Sequence, residues 1–207
     1  MRLVSAYYNG AYPFDEMGLF DSFASTSDPN QLTKEDCLVV WGGSDIPVQY
    51  YNKGRSSRSW AAKEPTERDA VEWALINRAA ELGIPMIGVC RGAQMMCALA
   101  GGYLIQDVSG HGGKHIVKTD DGQEFYTNSI HHQMMMPAQA KHQLLASIPK
   151  PLSREYWDED NLVNVDIERE YIYFDDIKAH AIQWHPEGMY IYTEANKFIA
   201  NKIKEFL

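Results

Sequence analysis

A nucleophile set among small residues, Gly88-Val89-Cys90-Arg91-Gly92, constrains this chain more than any other stretch. The apolar run Ile84-Pro85-Met86-Ile87 precedes it, and the helix-like run Ala93-Gln94-Met95-Met96-Cys97-Ala98-Leu99-Ala100 follows. A strand that turns abruptly into a helix at one exposed nucleophile needs small residues on both sides, because the strained turn leaves no room for side chains. The pattern predicts a nucleophile elbow.

Around the elbow, apolar runs of strand length alternate with helix-length periodic segments. This is the pattern of parallel βαβ units with helices on both faces of a sheet. Strands are expected near Leu3–Tyr8, Cys37–Trp41 and Pro85–Val89. A helix is expected over Glu67–Leu82, where Val71, Leu75 and Leu82 share one stripe and Gly83 is a fitting C-cap. Gly101-Gly102 ends the elbow helix, and Tyr103–Gln106 resumes as a strand. From Gly110 to Tyr173 the short candidates Ile116–Lys118, Glu124–Thr127 and Leu162–Ile167 read as antiparallel hairpins. Thr193 caps a last helix through about Phe206, with Ala195, Phe198, Ile199 and Ile203 facing the core. The expected fold class is α/β. A mostly parallel central sheet is flanked by helices, in a single domain over 1–207 with a small antiparallel feature in the second half.

A chain of 207 residues buries one good core without disulfides or metals. No segment approaches the roughly 20 apolar residues that span a bilayer, and the N-terminus lacks a signal-peptide cleavage site. Three cysteines with no paired spacing fit a reducing compartment, so a cytoplasmic location is expected. A net charge of −9 repels a phosphate backbone, which argues against nucleic acid as partner. The basic cluster Lys53, Arg55, Arg58 and Lys63 reads as a solvated loop.

Cys90 at a helix N-terminus sits where backbone N–H groups favour the thiolate, the form that attacks. Among seven histidines, only His185 combines a strand end with an acid two residues on, Glu187. Cys90, His185 and Glu187 therefore form a candidate triad of nucleophile, base and orienting acid. Gly42-Gly43 ends the Cys37–Trp41 strand at the same sheet edge. The backbone N–H groups of Gly43 and Arg91 are the candidate oxyanion donors, although a tight βα turn is an equally good reading of the two glycines.

Several ordered motifs now carry a resemblance: Gly42-Gly43-Ser44-Asp45-Ile46-Pro47 with Tyr50, Arg68-Asp69 with Glu72, the elbow through Gln94, Gly101–Asp107, Asn128-Ser129-Ile130-His131-His132-Gln133, and Gln183-Trp184-His185-Pro186-Glu187. From about Cys37 to Gly188 the chain resembles the class I glutamine amidotransferase superfamily, whose fold is flavodoxin-like. Within it the chain is most similar to the stand-alone γ-glutamyl hydrolase group. The resemblance implies the same triad, with Gln94 and Gly42 at the glutamyl moiety and the backbone of Ser129, Ile130 and His131 contacting its α-amino and carboxylate ends. It implies hydrolysis of the γ-amide bond of glutamine or a γ-glutamyl compound through a thioester, with no cofactor. The alternatives are a glutaminase subunit serving a separate synthetase or ligase partner, and a non-catalytic binding or chaperone-like protein on the same fold. The expected partners are a small-molecule substrate and, beyond it, a second copy in a homodimer, with no membrane. The segment Asn9–Asp36 and the Lys53–Lys63 loop show no family motif, which leaves the leaving group open.

The remaining features read as packing. Cys37 and Cys97 lie in apolar surroundings as inert thiols. His111 and His115 tempt a metal reading, but neighbouring glycines exclude a helix and no Cys or carboxylate completes a set, so no metal is expected. His131 and His132, adjacent in a strand, point to opposite faces, and one of them is expected to line the pocket. Met95-Met96 and Met134–Met136 fill core gaps. Gly110–Gly113 lacks the ending of a phosphate loop. Trp184 is either a core aromatic or a pocket wall.

Overall fold

The helix expected over Glu67–Leu82 forms with those bounds, because both ends are specified locally. Thr66 and Asp69 exchange side-chain and backbone hydrogen bonds in a capping box, and Gly83 closes the helix at φ 66°. The computed structural model describes residues 1–7 and 10–207, so Tyr8, the end of the expected first strand, lies outside the described residues. The first half contains β1 (Arg2–Ala6), β2 (Ser22–Thr26), β3 (Asp36–Val40), α1 (Glu67–Leu82), β4 (Met86–Val89) and α2 (Arg91–Leu99). The second half adds β5 (Tyr103–Ile105), β6 (Asp107–Val108), β7 (Gly112–Thr119), β8 (Glu124–Ile130), β9 (Met134–Met136) and β10 (His142–Ser147). It ends with β11 (Tyr156–Asp158), β12 (Asn161–Val163), β13 (Arg169–Phe174), β14 (Ala179–Ile182) and α3 (Glu194–Phe206).

Among the described residues, nine strands form one sheet in the order β2-β1-β3-β4-β14-β13-β10-β7-β8. The five strands from β2 to β14 run parallel, and β13, β10, β7 and β8 continue the sheet antiparallel. The α/β class holds. The antiparallel strands expected in the second half form there and extend the central sheet. Their small satellites are a three-stranded sheet, β12-β11-β6, and the pair β5-β9. The Leu162–Ile167 candidate is strand only over Asn161–Val163.

Both faces of the parallel half are covered. Every residue of β3 is buried, and its side chains alternate: Leu38 and Val40 join Leu75, Ile76 and Ala79 of α1, while Cys37 and Val39 join Phe198, Ile199 and Ile203 of α3. Trp184 is fully buried in the second cluster, so it is a core aromatic. Met95, Met96, Met134 and Met135 are fully buried and fill the core, as expected. No helix among the described residues is long and apolar enough to cross a membrane.

Candidate active site

At the carboxyl end of β4 the chain makes the predicted elbow. Cys90 adopts φ 50° and ψ −105° as the N-cap of α2, a conformation costing on the order of 1–3 kcal/mol for a non-glycine residue. Neighbouring structure holds it there: the Cys90 N–H donates to the Ile182 carbonyl at 2.7 Å, extending the β4–β14 pairing. The flanking glycines are obligatory. A Cβ on Gly88 would lie 2.6 Å from the Gly92 carbonyl carbon, and one on Gly92 would overlap the Val40 carbonyl oxygen. The Arg91 N–H, in the first turn of α2, has no intrahelical partner.

His185 follows β14 by three residues, and Asn128 of β8 grips its backbone at two points. The His185 N–H donates to Asn128 Oδ1 at 2.9 Å, and its carbonyl accepts from Asn128 Nδ2 at 2.8 Å. The ring interacts with Glu187, whose Oε1 is 2.7 Å from Nδ1, and on its other side with the Cys90 thiol. Burial pushes the His185 pKa down, but the bonds to Cys90 and Glu187 outweigh it and raise the pKa to about 10. The imidazole therefore keeps its proton at neutral pH. Cys37 and Cys97, by contrast, are fully buried thiols whose pKa values rise through burial, that of Cys97 to about 12.

Gly42-Gly43 lies against this pair. A Cβ on Gly42 would come within 2.7 Å of His185 Cε1, and one on Gly43 within 2.6 Å of Arg68 Nη1. Arg68 donates to the Gly42 carbonyl at 2.9 Å and to Glu72 at 3.0 Å. The Arg91 side chain, 2% exposed, runs beneath the turn to Asp69 and Glu72 of α1. This side chain thus has a role beyond the backbone N–H expected of Arg91 from the sequence. The signal for its side chain was the Arg68-Asp69 with Glu72 motif, whose i,i+4 spacing puts Arg68 and Glu72 on one helix face.

Two cavities flank the Cys90–His185 pair. One of about 260 Å³ is lined by Cys90, Gln94, Gly43, Asp45, Trp60 and residues 130–132. It suits an amino-acid-sized ligand, being smaller than the roughly 300–1,000 Å³ of larger-ligand sites. The other, about 800 Å³, opens beside His185, Glu187, Gly42 and Arg68, with Tyr12 and Trp41 in its wall. Gln94 reaches the small cavity and donates to the Gln133 carbonyl at 3.3 Å, and Ile130 stands 76% exposed at its rim. Ser129 does not line it: its hydroxyl turns away to donate to the His111 carbonyl at 2.7 Å.

The paired histidines lie just past the end of β8 rather than within a strand, and both border the small cavity, yet their rings turn to different partners. His132 faces the small cavity, with Nε2 2.7 Å from Asp45 Oδ2 and the Trp60 ring 3.9 Å away, while the His131 side chain is buried toward Glu170 of β13. Glu170 also faces His111 and His115, so the carboxylate missing from the sequence reading of those histidines comes from a distant strand. The Lys53–Lys63 loop is likewise not a free solvated loop. Lys53 pairs with Asp158 at 2.8 Å, Arg58 stacks on Trp157, Arg55 donates to the Ser59 and Ala61 carbonyls, and Asp160 accepts from Ser56 and Ser57. That pinning presents Trp60 to the small cavity.

An elbow cysteine at the carboxyl edge of this sheet, beside a histidine and a carboxylate, defines a class I glutamine amidotransferase-like protein, and known structures share the fold. A GMP synthase subunit from Thermoplasma acidophilum superposes with a TM-score of 0.65 at 16% identity, covering 100% of this chain and 94% of that one. A glutamine amidotransferase of Thermotoga maritima superposes with a TM-score of 0.62 at 17% identity, covering 99% and 85%. The chain belongs to the Peptidase C26 family, whose pattern matches residues 23–187. It is also similar to the glutamine amidotransferase-like protein YvdE of Lactococcus lactis, at 30% identity over 170 residues, 76% of this chain and 68% of that protein. Membership supports a hydrolase-type activity on glutamine-amide chemistry.

Proposed function

We propose that this chain is a single class I glutamine amidotransferase-like domain. It hydrolyses the γ-amide bond of glutamine or of a γ-glutamyl compound, with Cys90 as nucleophile, His185 as acid and base, and Glu187 as the acid that orients His185. The observation that carries the reading is the contact series from the Cys90 thiol through the His185 ring to Glu187, at a strained elbow between two cavities. The Cys90 thiolate attacks the γ-carbonyl carbon, and a C–S bond forms. The resulting oxyanion meets the N–H groups of Gly43 and Arg91. His185 passes its proton to the leaving amine, the C–N bond breaks, and a thioester remains. Water, deprotonated by His185, then attacks the thioester and releases glutamate. Gln94, Gly42 and the backbone of Ile130 and His131 hold the glutamyl moiety, Ser129 acting only through the wall it supports. The larger cavity beside His185 takes the leaving group, which favours an amine with a carbon body over ammonia alone.

A second reading, a glutaminase subunit docked on a synthetase or ligase, draws on exposed aromatic rings near the site. Tyr190 and Tyr192 are 85% and 82% exposed, just beyond Glu187, where a partner surface could cover them. Incubating the purified chain with glutamine and a panel of γ-glutamyl amides, while measuring ammonia and free amine separately, distinguishes the two. Release of amine by the chain alone is expected, and Cys90→Ala abolishes it. Undiminished hydrolysis in that variant would rule the mechanism out, and turnover only on adding a synthetase selects the second reading.

A further inference from the structure

Behind the wall of the small cavity, three histidines from separate segments converge on one carboxylate. His111 precedes β7, His115 lies within it, His131 follows β8, and Glu170 belongs to β13. Glu170 is the extra residue of a bulge, since the register passes from Ala146↔Tyr171 to Ser147↔Arg169. A bulge re-aims a side chain out of the regular alternation. Glu170 Oε1 then lies 3.4 Å from His111 Nδ1, 3.5 Å from His115 Nε2 and 3.5 Å from His131 Nε2. None of the four side chains is more than 5% exposed.

These atoms lack hydrogen-bond partners of normal geometry: both nitrogens of His111 and of His115, Nε2 of His131, and both oxygens of Glu170. Buried polar atoms are almost always satisfied, and so many orphans at one point call for a common partner. The spacing says which kind. Two ligands of one tetrahedral zinc, each bonded at 2.0–2.1 Å, stand about 3.3–3.4 Å apart. That separation is long for a hydrogen bond and close to the three distances observed.

The ring orientations agree. His131 Nδ1 donates to the Gln133 carbonyl at 2.9 Å, which leaves the Nε2 lone pair facing Glu170. His111 Nε2 faces Glu168 at 3.4 Å, which leaves Nδ1 facing Glu170. Glu168 is itself fixed by the N–H groups of Leu152 and Ser153 and the hydroxyl of Tyr156, each at 2.8 Å. An imidazole held from behind by a carbonyl, as His131 is, is how metal-binding histidines are oriented.

We propose that His111, His131 and Glu170, whose donor atoms lie within 4.8 Å of one another, bind one zinc-class divalent ion, with His115 beside Glu170 at its edge. Its closed, buried setting, apart from Cys90 and His185, makes it a structural site. Its effect is to tie the start of β7 and the end of β8 to β13, beyond Ser147, where the β10–β7 pairing stops. The strand end at 129–131, and with it one wall of the small cavity, is thereby fixed.

The test is elemental analysis of the untagged chain, joined to thermal denaturation of chelator-stripped protein with and without added zinc. One zinc per chain is expected after dialysis. The melting temperature is expected to rise by about 5–10 °C at free zinc a hundredfold above Kd. Cobalt in place of zinc is expected to give tetrahedral d–d bands without a thiolate charge-transfer band. Glu170→Gln and His131→Gln are expected to lose the ion, and Cys90→Ala to keep it. The proposal is overturned if the folded wild-type chain holds no stoichiometric metal and its melting temperature ignores zinc. It is equally overturned if binding survives Glu170→Gln, or if cobalt shows thiolate ligation that disappears in Cys90→Ala.

Discussion

Replacing Arg91 with Met keeps the hydrocarbon stem under the Gly42-Gly43 turn and removes only the guanidinium. Two carboxylates then remain buried without that partner: Asp69, 6% exposed, and Glu72, fully buried, which still has Arg68. Breaking a buried ion pair from one side costs about 3–5 kcal/mol, since the charge left behind has lost its water as well as its partner. At about 2–4 °C per kcal/mol for a chain of this size, the melting temperature should fall by about 6–20 °C. The pH dependence adds a sign. Burial raises the Asp69 pKa, but hydrogen bonds from Thr66 and Arg91 outweigh it and hold the carboxyl below its usual range. A depressed folded pKa stabilises above the unfolded value of about 3.9 and is lost as pH falls through the folded value. The wild-type chain therefore loses more on acidification, and the gap to Arg91→Met, full at pH 7, should narrow as pH falls below about 4. Calorimetry over this fall in pH measures both effects. A melting temperature within about 2 °C of wild type at pH 7, or a gap that widens in acid, would refute the account.

Other outcomes follow from the same geometry. His185 gains stability from a raised folded pKa, present below about pH 6.5 and lost as pH rises through about 10; Glu187→Gln removes one source of that shift and should move the alkaline limb of the kcat/KM profile downward. Gly92→Ala drives a methyl group into the Val40 carbonyl and should cost about 1–3 kcal/mol in urea unfolding, with loss of activity. Asn128→Ala frees the His185 backbone at both points and should lower kcat by about a hundredfold with little change in KM, as misplacement by about 1 Å does. A change confined to KM would instead place Asn128 in substrate binding.

What the sequence made legible was local. Gly88 and Gly92 announce the elbow because the turn leaves no room for a Cβ at the positions two residues either side of Cys90, and Thr66 with Gly83 sets both ends of α1. His185 and Glu187 were visible together because the fold joins them across one proline. What stayed hidden depends on distant partners. β2, Ser22-Phe23-Ala24-Ser25-Thr26, is a mostly exposed edge strand without an apolar alternation to mark it. The Arg91 side chain acquires its role only when α1 packs beside α2, and Glu170 reaches the histidines only through a bulge between β10 and β13. Trp60, in a loop that looked like a run of solvated charges, becomes a cavity wall only because Asp158 and Asp160 hold the loop down.

The hydrogen bond from the Cys90 N–H to the Ile182 carbonyl has a consequence in time. A ribosome adds about 5–20 residues per second, so the anchor, 182 − 90 = 92 residues downstream, emerges about 5–20 s after the cysteine it restrains. During that interval the nascent chain carries an ordinary, relaxed thiol. The strained elbow is completed only when β14 slots in beside β4, so a chain released early would carry the cysteine without the geometry that arms it.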